Sequence, residues 1–413
     1  MPAAAGQMAA AGGAASVLSG LHEVHFPVHW ERAAWLAPGG AAAPGPAPWA
    51  RSELEAALVR RWRDGHDADS SQPIFKYQLG SEREPLEVRR IPGLLGLLAQ
   101  KALGRAGKRK PAGVDRVVAT RNASAFSFAD ARCEELLLVL GGPPVGPGAT
   151  APVRCGGTTQ QAAAADGSVG AALASLAGGP HQHGVLVNVS PVCAFHFVLA
   201  TDLAALLPQV LTERSLEVAA WLSLRASRFL RLTFNSLGAG ASVNHLHWQG
   251  LYLREPLPVE RCERETVARR GALRVQRLVG WPLPVWVFIT GEGGGDPGGL
   301  AGAAWPVLRR LLAENLAHNL CLVGDNGSLQ LFVIPRRLRN FPDPTKSQVA
   351  STEAFGYWIV PDASEFDTFT EDEMAQRMAS VAAWADDLPF LRAALAPEGW
   401  RFPPAGARDG PGA

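Results

Sequence analysis

The chain has no Cys-x-x-Cys pair, and its five cysteines (Cys133, Cys155, Cys193, Cys262 and Cys321) are odd in number and widely spaced. That argues against a zinc ribbon and against a disulfide framework, and it fits a reducing compartment. No apolar run reaches the ~18 residues that span a bilayer. The first 22 residues contain no Lys, Arg, Asp or Glu, so they lack both the basic region of a signal peptide and the arginines of a transit peptide. The expectation is a cytoplasmic protein. Surplus charge is missing too: the formal net charge is +1, and no global field calls for nucleic acid or a membrane surface. No Gly-Lys-Ser/Thr phosphate loop occurs, and Gly291-Glu-Gly-Gly-Gly-Asp296 lacks dinucleotide-fingerprint spacing and reads as a loop.

What is present is a large apolar fraction, 47% of 413 residues, enough for one large α/β unit or two fused halves. Residues 1–50 and 396–413 read as mobile ends, and 141–183, rich in Gly, Ala and Pro, as a long, partly disordered surface insertion. Ser52, with Glu55 three residues later, predicts a helix start. Strands are expected over 74–79, 135–140, 184–189, 196–199, 229–234 and 244–253, and Pro208 is expected to open a helix reaching residue 226. A first half of 51–280 is followed by a second of 281–395, with a strand at 284–290, a helix starting near Pro306 and a hairpin about Asp325-Asn-Gly327. Both halves read strand, helix, strand, turn, strand. The period exceeds 90 residues, so this is a duplicated domain and not a solenoid. Arg336 and Arg337 read as a solvated pair.

The chemistry concentrates in Asn244-His-Leu-His-Trp-Gln249. Alternation in a strand puts His245, His247 and Gln249 on one face, with Leu246, Trp248 and Tyr252 on the other. Buried imidazoles need partners for their nitrogens. Three readings are open: a satisfied core pair; a metal site of His245 and His247 with a distant third ligand such as His196; or nucleophilic attack by a neutral imidazole on phosphorus. For the last, N–H groups at Gly238, Gly240 and Ala241 could cradle phosphate oxygens. Asn235, Ser236, Ser242 and Asn244 could add hydrogen bonds, and Gln249 could donate to a non-bridging oxygen in the transition state.

These residues resemble the histidine triad superfamily and, more narrowly, the GDP-hexose phosphorylases, whether GDP-D-glucose or GDP-L-galactose specific. The densest match is Phe234-Asn-Ser-Leu-Gly-Ala-Gly-Ala-Ser-Val-Asn-His-Leu-His-Trp-Gln-Gly-Leu-Tyr-Leu253 with Leu257-Pro-Val-Glu260. Other matching blocks are Phe75-Lys-Tyr-Gln-Leu79, Val187-Asn-Val-Ser-Pro191 with His196, Ala317-His-Asn-Leu320 and Glu353-Ala-Phe-Gly356. The resemblance implies an α+β fold of histidine-triad-like antiparallel sheets with helices, in two fused pseudo-repeat halves, of which the second is degenerate. It implies a nucleotidyltransferase in which His247 attacks the α-phosphorus of a GDP-sugar, hexose 1-phosphate leaves, and inorganic phosphate releases GDP. It implies no cofactor and no metal, leaves a homodimer open, and adds His196 and Glu353 as further site candidates. Glutamine at position 249 resembles transferases more than hydrolases. Ascorbate biosynthesis and disposal of GDP-glucose are the two physiological settings it offers. Three blocks depart from the family: Phe126-Ser-Phe-Ala-Asp130 in place of Phe-Asn-Phe-x-Lys, Ala99-Gln-Lys-Ala102 in place of Ala-Gln-Leu-Asn, and Phe195-His196 in place of Gly-His. They motivate the alternative of a nucleotide-sugar-binding pseudoenzyme. The other alternative is a metal-dependent hydrolase.

Overall fold

A computed structural model describes residues 52–67, 74–76, 86–105, 114–141, 153–154, 168–170, 173, 182–291, 293–325, 327–338, 347–384 and 386–403. The expected mobile segment 1–50, most of 141–183 and residues 404–413 lie outside them. An eleven-stranded antiparallel sheet organises the molecule. In chain order its strands are β3 (Leu136–Gly141), β4 (Val153–Arg154), β5 (Gln182–Val187), β6 (Phe197–Ala200), β7 (Leu230–Asn235), β8 (His247–Tyr252), β9 (Arg264–Arg270), β10 (Leu273–Leu278), β11 (Trp286–Ile289), β12 (Ala317–Asp325) and β13 (Ser328–Arg336). A smaller sheet pairs β1 (Val88–Arg90), β2 (Leu98–Lys101) and β14 (Tyr357–Val360).

The large sheet runs β4-β3-β5-β6-β8-β7-β12-β13-β11-β10-β9. Its two halves mirror each other about the β7–β12 pairing, where Leu232 faces Leu322. Helix α2 (Glu213–Arg225) connects β6 to β7, and helix α3 (Pro297–Ala313) connects β11 to β12. The repeated order expected from the sequence is therefore real, but its boundary is not at residue 280. Strands β9 and β10 pair with β11, on the far side of the junction.

Alternation sorts the side chains between two cores. Leu246, Trp248, Tyr252, Leu320 and Leu322 pack into the cluster that holds α2, α3 and α1 (Glu53–Asp67). Leu251, Leu253, Cys321 and Val323 join the opposite cluster, with Trp358 and Leu98 of the small sheet. Ser52 accepts the Glu55 N–H at 3.2 Å and caps α1. The Glu55 carboxylate reaches across the sequence to the Ser227 N–H and hydroxyl instead of closing a capping box. Among the described residues no helix is long and apolar enough to cross a membrane.

Several elements depart from the sequence reading, each for a local reason. Residues 74–76 form a bend, not the start of a strand. Helix α2 begins five residues after Pro208, because Thr212 supplies the cap by accepting the Ser215 N–H. Helix α3 begins at Pro297 and contains Pro306, which has no N–H for the residue 302 carbonyl to accept. The 141–183 insertion returns Val169 and Leu173 to a small core beside Leu203. Residues 396–403 are not a mobile tail: Trp400 is buried against Phe288, and the Arg401 backbone pairs with Arg269. Arg336 is fully buried, with its guanidinium on the Asn319 amide oxygen and the Val349 carbonyl, so it is no solvated pair with Arg337.

Candidate active site

Strand β8 begins at His247, so His245 lies just before it and not within it. Alternation still applies from His247 onward: His247 and Gln249 share the face of Leu251, while Trp248 is wholly buried among the helices and donates its indole N–H to Ser215. His247 is nearly buried, and its Nδ1 lies 2.7 Å from the His245 carbonyl. A carbonyl oxygen can only accept, so Nδ1 carries a hydrogen, and in the neutral ring Nε2 is the nitrogen with the free lone pair.

His245 is set the opposite way. Its Nδ1 accepts the Phe128 N–H at 3.0 Å, so the hydrogen is on Nε2, which makes no hydrogen bond of normal geometry among the described residues and has the Leu203 carbonyl nearby. Burial, then the neighbouring His247 and Arg121, push its pKa down to about 4, against smaller upward pulls from Asp130 and the Leu203 backbone. This ring is therefore a neutral donor at physiological pH. The Phe128 ring covers both histidines, with centroids 4.9 Å from His247 and 5.7 Å from His245. The 128–130 turn that presents it is tied by the Asp130 carboxylate, which accepts from the Ser127 N–H and hydroxyl.

The glycine-rich loop does not form the open phosphate cradle expected of it. Residues 235–241 are all buried. Asn235 spends its side-chain oxygen on the Asn319 amide and the Ser351 N–H. Ser236 accepts the His318 N–H and donates to the Leu237 carbonyl. The Ser236 carbonyl takes the Ala241 N–H. Gly238 (φ +72°) and Gly240 (φ +105°) serve close packing, since a Cβ there would meet Leu338 at 2.7 Å and Ala350 at 2.7 Å. Asn244 accepts the Gln209 N–H and donates to the carbonyls of Ala119 and Thr120. Only Ser242 is exposed, and Gln249 is half-buried.

His196 stands apart. Ala200 faces His247 across β6, so His196 lies four residues further along, about 13 Å at strand rise. Its Nδ1 takes the Val192 N–H. It does not join the two histidines as a third metal ligand. Among the described residues no group of three or more His, Cys, Asp or Glu side chains is placed to hold a metal. Glu353 is a buried cap whose carboxylate accepts the N–H groups of Ala350 and Ile359.

Arg121 and Gln209 belong to the site and escape the sequence reading, whereas Phe128 lies in the 126–130 block already singled out there. None lies near the histidines in sequence. Phe128 alone carries a sequence signal, as part of the Phe126-Ser-Phe-Ala-Asp130 block that departs from the family.

Two adjoining families match: "GDPGP1-like, N-terminal domain" over residues 166–251 and "GDPGP1-like, C-terminal domain" over residues 258–388. Their division agrees with the sheet, which places β9 and β10 in the second half. The Arabidopsis thaliana GDP-L-galactose phosphorylase 1 is 26% identical over 81% of this chain and 71% of its own length. The Homo sapiens GDP-D-glucose phosphorylase 1 is 31% identical over 67% of this chain and 63% of its own, and the Bos taurus protein of that name is 30% identical over 65% and 60%. The chain thus spans about two thirds of the length of these relatives. In fold it is similar to the crystal structure of yeast Ap4A phosphorylase Apa2 in complex with Ap4A, with a TM-score of 0.52 and 15% identity over 79% of this chain and 98% of that one. With both family matches laid end to end across the two mirrored halves, the chain belongs to the GDPGP1-like family, alongside GDP-D-glucose and GDP-L-galactose phosphorylases.

Proposed function

We propose that this chain is a GDP-hexose phosphorylase that transfers a guanylyl group through His247. The observation that carries the reading is the hydrogen bond from His247 Nδ1 to the His245 carbonyl, which leaves Nε2 as the attacking nitrogen. In the first step Nε2 bonds to the α-phosphorus, the α–β bridging P–O bond breaks, and hexose 1-phosphate leaves with the electron pair. In the second, an oxygen of inorganic phosphate attacks the same phosphorus, the P–N bond breaks, and GDP departs with His247 restored. The leaving group is a phosphate ester and a weak base, so no strong acid is required. That suits a site whose neighbours are a neutral His245 ring and the Gln249 amide, with the Arg121 guanidinium near enough to act on His245. Guanine and hexose are carried over from the names of the relatives. The catalytic assignment falls to the first half alone, since β13, the counterpart of β8, has no histidine.

The test is intact-protein mass spectrometry after mixing with GDP-L-galactose or GDP-D-glucose without phosphate. A gain of one GMP, lost on adding phosphate and absent from a folded His247→Ala variant, is expected. Near wild-type turnover in that variant would refute His247 as nucleophile. Binding of the sugar nucleotide without an adduct would favour the pseudoenzyme.

A further inference from the structure

Strands β7 and β8 are paired from Leu230↔Tyr252 to Thr233↔Gln249, and the ladder stops there. Continued in that register, Phe234 would pair with Trp248 and Asn235 with His247, and these residues are still in strand conformation. The gap between them is filled by the side chain of Gln209, which comes from the loop between β6 and α2 and is fully buried. Its amide oxygen accepts the His247 N–H at 2.8 Å. Its amide nitrogen donates to the His247 carbonyl at 3.0 Å and to the Asn235 carbonyl at 2.9 Å. One primary amide thus stands in for a strand's worth of ladder bonds. It satisfies three backbone groups that would otherwise be buried without partners, and it holds the two strands apart where the histidine side chain emerges. On the other edge of the same segment, the Leu246 N–H reaches the Leu207 carbonyl from the same loop. The Gln209 N–H is in turn fixed by Asn244.

We infer that Gln209 is a positioning residue: a wedge that sets the His247 peptide and so directs its imidazole. The chain of contacts is short. The ring is oriented by Nδ1 on the His245 carbonyl, two residues upstream. That bond requires a fixed turn of the backbone between the two histidines, and Gln209 is what grips the backbone at the downstream end. A side chain that could not bridge the gap would let the strands close or slide, and the imidazole would lose both its aim and its single tautomer. The inference rests on the reading of His247 as nucleophile, but part of its consequence is visible without substrate.

Gln209→Met keeps the bulk and removes all three bonds. Gln209→Glu keeps an acceptor for the His247 N–H and turns a second oxygen on two carbonyls. In both, with folding checked by near-ultraviolet circular dichroism, GMP transfer to His247 in a single turnover is expected to slow about 100-fold, with GDP-hexose affinity by calorimetry little changed. Nitrogen-15 spectra of selectively labelled histidine, with His247 assigned through His247→Gln, are expected to show one Nδ1-protonated tautomer in the wild type and a mixture in the variants. A folded variant with wild-type rate and tautomer overturns the inference. If the wild type forms no GMP adduct with either sugar, the proposed function fails and the tautomer comparison alone decides: a mixture in the variants upholds the wedge, and an unchanged spectrum sinks it. If Gln209→Met does not fold, Gln209→Glu carries the same two readouts.

Discussion

Acid should destabilise this protein through His318 by an amount that can be worked out in advance. The ring is wholly buried on β12, 5.9 Å from Phe234 and nearly parallel to it at 14°. Its Nδ1 lies 3.2 Å from the Leu316 carbonyl, so Nδ1 carries the hydrogen, and its Nε2 has no partner among the described residues. Burial pushes the pKa down to about 4, and the Leu316 carbonyl pulls weakly upward. The unfolded chain takes up its proton near pH 6.5, the folded one only near pH 4, so between these values the unfolded state binds more protons. The stabilisation is therefore complete above about pH 6.5 and is lost as pH falls toward 4. At 1.36 kcal/mol per unit the full span is worth about 3 kcal/mol, of which about 2 kcal/mol is gone by pH 5. His318→Phe keeps the stacked area and cannot titrate. Urea unfolding followed by tryptophan fluorescence at pH 7.5 and pH 5.0 reads the difference, since His245 and the other histidines are common to both proteins and cancel. The wild type should lose about 2 kcal/mol more than His318→Phe. Equal losses would mean that His318 is solvated in the folded state, and the burial argument would be wrong.

Two further perturbations test the scaffold. Arg231, nearly buried, places Nε and Nη2 at 2.9 Å from the two oxygens of Glu260, so Arg231→Met strands a carboxylate and should cost about 3–5 kcal/mol by urea unfolding, with Arg231→Met/Glu260→Gln costing less than the sum of the single changes. A strictly additive pair would show that the two side chains do not interact. Glu353→Ala removes the acceptor of two buried N–H groups and should lower stability by about 1–3 kcal/mol while the folded enzyme keeps its kcat; loss of turnover in a fully folded variant would return Glu353 to the reacting groups.

How much of this could be read from the chain depends on where the deciding contact comes from. The alternation of β8 is legible because Trp248 and Tyr252 are large and must be buried, which turns His247 and Gln249 to the other side. The β12–β13 hairpin is legible because Gly327 adopts φ +79° in a two-residue turn between Asp325 and Ser328. The 235–241 loop misleads for a physical reason: its Gly, Ala and Ser composition looks like exposed turn chemistry, whereas small residues are needed there because Leu338 and Ala350 press on the backbone. Pro208 and Pro306 mislead in the same way, being sound helix-start signals locally overruled by Thr212 and by Pro297. Gln209 could not be found at all. Its partners are Asn235 and His247, far along the chain, and nothing in its own neighbourhood marks a glutamine as a wedge.

The mirrored sheet also gives a physical reason why the proposed chemistry falls in one half only. In the second half β12 and β13 are paired without interruption from Ala317↔Arg336 to Asp325↔Ser328 and close in a tight turn. A hairpin zipped to its end satisfies its own backbone and leaves no opening for a reacting group. In the first half the ladder ends early, at Thr233↔Gln249, and residues 236–246 form a long connection in place of the turn. Opening a buried sheet end leaves N–H and C=O groups to be satisfied by something else. Gln209 does this on one side and the Leu207 carbonyl on the other. A histidine placed at the matching end of β13 would therefore not suffice to build a second site. The loop and the wedge would be needed first, so the asymmetry between the halves lies in the backbone before it lies in the side chains.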